Sequence, residues 1–341
     1  MGMAETLRST RQGALRIALA VASIVALIAF PGSCKKSKPS TPRIAVIPKG
    51  TTHEFWKSVH AGAVKASREL DVEVVWKGPL REDDLKAQID VVQSFTAQGV
   101  SGIVVAPLSD KGLVGVVNQA TRAKIPVVIF DSDLQGHDYT SFVATDNFAA
   151  GKLAADELAK LLGDKGNVIV LRYNEGSAST QNRENGFLDA IKKHSGIKVK
   201  SDNQYGGATT ESAHQASENL LAAMQASQGG VDGIFCPNES TTFGMLLALE
   251  KEGLAGKLKF VGFDASAKLV EAVRQGHLDG LVLQNPFQMG YLAVATLSRH
   301  LRGEAVEPRI DTGATFVGKH NLERPEIRDL IAPDLTPWLG E

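Results

Sequence analysis

Cysteine is almost absent: the 341 residues hold two, Cys34 and Cys236. At most one disulfide is possible, and none once Cys34 is modified. Excess charge is absent too. The 37 Lys and Arg against 38 Asp and Glu leave a formal net charge of −1, which excludes the basic surface of a nucleic-acid binder. The chain contains no Gly-x-Gly-x-x-Gly, no Walker loop, no Ser-His-Asp arrangement and no metal-ligand cluster, so those chemistries lack their signatures. The two carboxylates of "DSD" (Asp131 to Asp133), two residues apart, are too little for a metal site. The long apolar run, Ile17 to Phe30, falls short of the ~20 residues a membrane helix takes.

Arg8, Arg11 and Arg16 precede that run, giving the charged and apolar regions of an export signal. Gly32, Ser33 and Cys34 come next, then a polar, basic, Pro-containing linker. This stretch resembles the lipobox of bacterial lipoproteins, although Pro31 stands where a Leu-like residue is usual. The expected division is a signal peptide over 1–33 and a linker over 34–42, lipidated at Cys34 and so tied to the membrane. A short transmembrane anchor and a plain cleaved signal are the alternatives. Cys236, at the end of the apolar "GIFC", reads as inert packing.

The rest of the chain is rich in apolar strands alternating with amphipathic helices. "RIAVIP", "VEVVWKG", "GIVVAP" and "PVVIFDSD" are strand-like, separated by helical segments, one of them starting at the acidic "EDDLKAQ". The pattern restarts at "NVIVLRY" and runs through "DGIFCPNES", "KFVGFDAS" and "LDGLVLQNP" to a long helix, "FQMGYLAVATLSRHLRG". Continuous apolar strands of this kind belong to parallel sheets covered on both faces. The chain is therefore expected to be α/β, with two doubly wound domains.

The halves repeat one another. "SGIVVAP…IPVVIFDSD" and "DGIFCPN…LKFVGFDAS" share a Gly-Ile strand, a helix, and a strand ending Phe-Asp, at the length of a βαβ unit. Ligands of doubly wound sheets bind beyond the carboxyl ends of the strands. Asp131 and Asp264 stand at those ends, so each domain offers one carboxylate to a shared cleft. The alternative is that each aspartate caps the helix after it.

At these residues the sequence resembles the bacterial periplasmic sugar-binding proteins of the ribose-binding type, the receptor components of ABC transporters. The resemblance runs from about Arg43 to Phe316 and includes "IAVIPKGTTHEFWKSVHAGA", "VATDNFAAGKLAADEL" and "SASTQNRENGFLDAI". It implies the type I periplasmic binding protein fold: two lobes joined by three hinge crossovers, near Thr145-Asp146, Gln284-Asn285 and Asp311-Gly313. The lobes would comprise 43–145 plus 285–312 and 146–284 plus 313–341. It also implies a ligand site. His53, Phe55 and Trp56 fall where the family places a polar side chain and two aromatics. Asp131 matches the carboxylate that receives sugar hydroxyls, and Arg183 the arginine of the second domain. Asn238, Asp264 and Gln284 match the far side, and Lys49 a variable polar position.

Three positions depart from the ribose pattern. Ser132 replaces a second arginine, Ala208 an aromatic, and His53 an amide, so a different pentose, a hexose, a polyol or another small polar ligand fits as well. The residue types suit such a ligand: aromatic faces cover its C–H faces, while Asp, Arg, Asn and Gln match its hydroxyls. Plainer readings exist. "EFW" could be core packing, Arg183 a solvated helix charge, Asn238 a helix cap and Gln284 a hinge element.

The expected function is ligand capture without catalysis or cofactor, by a monomer that delivers a sugar or polyol to an inner-membrane ABC permease. A sensory subunit feeding a chemoreceptor or kinase would have the same site. A sugar-responsive transcription regulator would carry a helix-turn-helix where this chain has its export signal. A glycosidase using Asp131 and Asp264 as its acid/base pair is the enzymatic alternative.

Overall fold

The computed structural model describes residues 41–340. The stretch expected to be an export signal, Cys34 and most of the expected linker lie outside the described residues. Two six-stranded sheets organise the rest. The first has the order β11-β5-β4-β3-β1-β2, built from β1 (Arg43–Ile47), β2 (Glu73–Trp76), β3 (Gly102–Val105), β4 (Val127–Phe130), β5 (Ser141–Ala144) and β11 (Arg309–Asp311). The second has the order β12-β10-β9-β8-β6-β7, built from β6 (Lys165–Arg172), β7 (Gly196–Tyr205), β8 (Gly233–Phe235), β9 (Lys259–Phe263), β10 (Gly280–Leu283) and β12 (Thr315–Gly318). All pairings are parallel except β10 with β12.

Helices cover both faces of each sheet, which is why β3 and β4 read as unbroken apolar runs. α1 (Glu54–Leu70) and α9 (Pro286–Leu301) cover one face of the first sheet, and α2 (Leu85–Gln98) and α3 (Val114–Arg122) the other. On the second sheet, α4 (Asn147–Leu162) and α5 (Ala178–Ile191) cover one face. α6 (Thr210–Ala223), α7 (Glu239–Lys251) and α8 (Ala267–Gln275) cover the other. Local signals fix the ends. Asp84, Asp146 and Asn285 cap α2, α4 and α9, and Gly99, Gly163 and Gly276 terminate α2, α4 and α8 in the left-handed region. The acidic stretch read as the first turn of α2 is instead its lead-in: the helix begins at Leu85, and Glu82 turns inward.

The repeat extends to the helix crossings. A Cβ on Gly62 of α1 would meet Phe287 O at 1.9 Å, and one on Gly290 of α9 would meet Val59 O at 2.0 Å. In the second lobe, a Cβ on Gly151 of α4 would meet Arg183 O at 2.0 Å, and one on Gly186 of α5 would meet Phe148 O at 2.1 Å. Each lobe thus packs its two helices backbone to backbone through a reciprocal pair of glycines.

The chain passes between the sheets three times: from β5 to α4, from β10 to α9, and from β11 to β12. The crossovers bond to one another. Asp146 N donates to Asp311 Oδ1 at 2.9 Å, and Thr145 Oγ1 to Gly313 O at 3.1 Å. The tail beyond β12, expected whole with the second lobe, divides. Leu322 and Ile327, the latter on α10 (Pro325–Ile331), join the second lobe's core. The last turn, α11 (Thr336–Leu339), docks on α1 of the first lobe, where Arg68 donates to Pro337 O and Trp338 O at 2.6 and 3.2 Å. Trp338 draws it there, because α1 presents the cations Lys65 and Arg68 to the indole.

Candidate functional site

β4 and β9 end side by side across the cleft, each on an aspartate in the left-handed region: φ is 60° at Asp131 and 66° at Asp264. Such values are uncommon outside glycine, though Asp tolerates them better than most. Neither aspartate caps the helix that comes after it. Ser266 caps α8, accepting from Leu269 N. Asp131 instead receives Lys49 Nζ at 2.9 Å, with both groups buried. Asp264 receives Gln284 Nε2 at 2.7 Å and Glu239 N at 3.1 Å.

The first lobe supplies Lys49 from the end of β1, and His53, Phe55 and Trp56 from the start of α1. The two rings meet edge to face, with centroids 4.9 Å apart. Trp56 Nε1 donates to Glu82 Oε1 at 2.6 Å, and His53 Nδ1 lies 2.8 Å from the same oxygen. From the second lobe, Tyr173 at the end of β6 donates to Glu82 Oε2 at 2.6 Å. Arg183, buried on α5, donates to Asn147 Oδ1 and Pro237 O at 2.8 and 2.9 Å and lies over the Phe263 ring.

Lys49, His53, Phe55, Trp56, Asp131, Arg183, Asn238, Asp264 and Gln284 all line one cavity between the lobes. Asn238 also caps α7: its Oδ1 accepts from Thr241 N at 3.3 Å and Thr241 Oγ1 at 2.6 Å. Ser132 does not line the cavity. Its Oγ accepts from Ser179 N of the opposite lobe at 3.1 Å. Ala208 is buried elsewhere, and Tyr173 brings the second lobe's aromatic instead. Sequence reasoning missed Glu82, Tyr173 and Glu239, which line the same cavity. Tyr173 carried a signal, since it ends a strand as Asp131 does. Glu82 looked like an ordinary helix-start acid.

The lobes are closed on each other. Lys49 reaches Ser179 Oγ at 2.9 Å, Glu239 accepts from Glu54 N and Phe55 N at 3.4 Å, and Glu54 accepts from Ala267 N at 3.2 Å. About 30 Å³ remains open between the site's side chains, room for a water or two. Ligand entry therefore requires the lobes to part. A larger cavity of about 570 Å³ lies by the tail, lined by residues such as Asn285, Thr315 and Arg324, and shares no residue with the cleft.

Burial dominates the electrostatics and is opposed group by group. It works against a charged His53, but the Glu82 charge and hydrogen bond, aided by Glu239 and Asp264, raise His53 to about 9. Burial likewise opposes the Glu82 anion, yet His53, Lys49 and Tyr173 hold it at about 2. For Glu239 burial wins, with Asp264 adding to it, and its carboxyl rises to about 7. Burial pushes Asp264 up as well, against the pull of Arg183 3.8 Å away. Gln284 Oε1 is buried in the cleft with no hydrogen-bond partner among the described residues, so a donor from a bound molecule would satisfy it.

Residues 44–305 match the periplasmic binding protein domain. The ribose import binding protein of Haemophilus influenzae is 30% identical over 267 residues, 78% of this chain and 88% of that protein. A carbohydrate transporter solute-binding protein from Agrobacterium radiobacter, solved in complex with D-arabinose, superposes with a TM-score of 0.82 at 32% identity, covering 86% of this chain and 100% of that one. An ABC transporter solute-binding protein from Agrobacterium vitis, solved with bound D-fucose, gives 0.81 at 36% identity, covering 85% and 99%. The two sheets, their three crossovers and the match over most of the sequence lead to one conclusion: the chain belongs to the periplasmic binding protein domain family.

Proposed function

We propose that this chain is the substrate-binding component of a bacterial ABC sugar importer. It takes a monosaccharide or similar small polyhydroxy ligand between its lobes, closes by hinge motion and presents the closed form to an inner-membrane permease. It performs no turnover. One observation carries the reading: Asp131 and Asp264, at equivalent strand ends of the two lobes, line one cavity with aromatic side chains and Gln284, whose Oε1 has no partner among the described residues. Carboxylates and amides fixed in this way receive hydroxyl protons, and bonds to charged groups contribute ~1.5–3 kcal/mol each. An epimer that leaves one buried group unpaired loses about 1–3 kcal/mol. Contacts made only when the lobes meet supply the differential affinity that drives closure. The export signal and the Cys34 motif support a lipid-anchored location in the periplasm or cell envelope.

The test is calorimetric titration against pentoses, hexoses, deoxy sugars and polyols, with Asp131→Ala beside the parent protein. Micromolar or tighter binding of one compound, lost in the variant and unaccompanied by any product, is the expected result. A folded protein that binds none of the panel overturns the sugar reading.

A further inference from the structure

Resting on that reading of the cleft, a finer feature of ligand selection emerges from two side chains. His53 occupies the N-cap position of α1 but makes no side-chain cap bond. Its Nδ1 is committed to Glu82 Oε1 instead. Glu82 is buried and receives two further donors, Trp56 Nε1 and Tyr173 OH, so both its oxygens are engaged. The imidazole lines the cavity. With Nδ1 turned to Glu82, Nε2 is the ring nitrogen left for a bound molecule.

The protonation state then decides which ligand atom His53 selects. A neutral imidazole with its proton on Nδ1 would offer a lone pair at Nε2 and accept a hydroxyl proton. An imidazolium would offer Nε2–H and donate to a ligand oxygen. We propose that Glu82 is the positioning residue that makes His53 a permanent hydrogen-bond donor, so that the cleft requires an acceptor oxygen of the ligand at this point. Both Glu82 oxygens are already engaged by protein donors, so Glu82 acts through His53. It also fixes the Trp56 indole, and it engages Tyr173 only when the second lobe arrives, which couples the donor's setting to closure.

The charged groups around the pair agree. Glu239 from the start of α7 and Asp264 from the end of β9 both favour the cation. Lys49 and Arg183 face Glu82 and favour its anion, and Tyr173 donates to it. Glu54 is the next residue on α1. Burial opposes the charged pair, and the sum of these neighbours exceeds it.

The experiment has two arms. In the first, histidine-labelled protein is titrated by NMR, as the parent and as Glu82→Gln. The expected result is a parent His53 that stays protonated past about pH 8, and a variant His53 that titrates near or below the ordinary ~6.5. A parent His53 that is neutral at about pH 7 overturns the proposal whatever the ligand. In the second arm, affinity for the sugar identified by calorimetry is measured from about pH 5.5 to about pH 8.5. The parent should be flat. Glu82→Gln should weaken more than tenfold across that range, and His53→Asn, whose amide donates without titrating, should remove the pH dependence in the Glu82→Gln background. Equal weakening of Glu82→Gln at every pH would reduce Glu82 to a packing role, and no weakening would sink the proposal outright. Because the first arm needs no ligand, failure of the sugar reading and failure of this pair are separable.

Discussion

Asp131 and Asp264 share more than a place in sequence. Each sits left-handed at the end of a buried strand, and each donates its amide to the next strand of its sheet, Asp131 N to Val143 O at 3.0 Å and Asp264 N to Val282 O at 2.9 Å. The repeat has therefore copied an unusual backbone state as well as a side chain. Non-glycine residues held at positive φ cluster where a side chain must be aimed, here into the cleft from both walls.

Their side chains differ in consequence, which makes a testable pair. Asn tolerates the left-handed backbone but carries no charge. Asp131→Asn and Asp264→Asn should each weaken ligand binding about 10- to 100-fold, from the loss of a charge-assisted bond. Only Asp131→Asn strips a buried lysine of its counter-ion, a change that costs ~3–5 kcal/mol when no relief is available. Asp264→Asn also takes a carboxylate from the buried Arg183, but that contact is longer, 3.8 Å, and burial already disfavours the Asp264 anion, so this variant should lose less stability than Asp131→Asn. Thermal unfolding of the two variants would contradict this expectation if Asp264→Asn proved the less stable.

The cleft also sets a pH dependence. Glu239 is raised to about 7 in the folded protein. Its folded state holds a proton that the unfolded chain has released, so its contribution is full below about pH 4.5 and lost as pH rises through about 7. His53, raised to about 9, contributes fully below about 6.5 and loses that as pH rises through about 9. Glu82, depressed to about 2, contributes above about 4.5 and loses it as pH falls through about 2. Stability should therefore be greatest near about pH 4.5 and decline above it, first as Glu239 ionises and then, above about pH 6.5, as His53 loses its proton. Glu239→Gln should flatten the part of the decline below about pH 7. A Glu239→Gln protein whose pH–stability curve overlies the parent's would refute the assignment.

Much of this arrangement was legible in the sequence because the repeat was. Apolar runs gave the strands, and Phe-Asp at two equivalent ends gave the cleft. The residues that escaped lie where local pattern and tertiary role disagree. Glu82 sits among Asp83 and Asp84 and looks like one more first-turn acid, yet only Asp84 caps the helix. Ser132 belongs to the right loop but gives its Oγ to Ser179 N, whereas Asn238 lines the cavity as expected and caps α7 as well. The tail gave no periodic signal at all, because α10 and α11 are too short to show one.

The glycine pairs connect packing to the site. Gly151 lies against Arg183 O, and Arg183 holds its guanidinium in place through Asn147 and Pro237. A methyl at Gly151 must push α5 away from α4 and carry Arg183 with it. Gly151→Ala should destabilise the protein by ~1–3 kcal/mol through overpacking and weaken ligand binding as well. Gly62→Ala at the matching crossing of the first lobe should destabilise by a similar amount. It should affect binding less, because its contact is with Phe287 O and not with the backbone of a cleft residue. Denaturant unfolding beside calorimetry separates the two effects, and equal loss of affinity in both variants would count against the linkage through Arg183.

The tail bridges what the hinge must separate. Ile327 is anchored in the second lobe's core, whereas Trp338 packs against Phe287 at 6.3 Å and beneath Lys65 and Arg68 of the first lobe. Both anchor points of this strap are occupied with the lobes closed. Each cation–π contact at an exposed site contributes ~0.5–1 kcal/mol. If opening releases them, Trp338→Ala shifts the equilibrium toward the open form and should weaken ligand binding about two- to tenfold. The core of neither lobe is touched, so the loss in global stability should be small. Small-angle scattering should report a larger radius of gyration for Trp338→Ala at sub-saturating ligand than for the parent protein. An unchanged radius and affinity would mean that the strap travels with the first lobe through the hinge motion and restrains nothing.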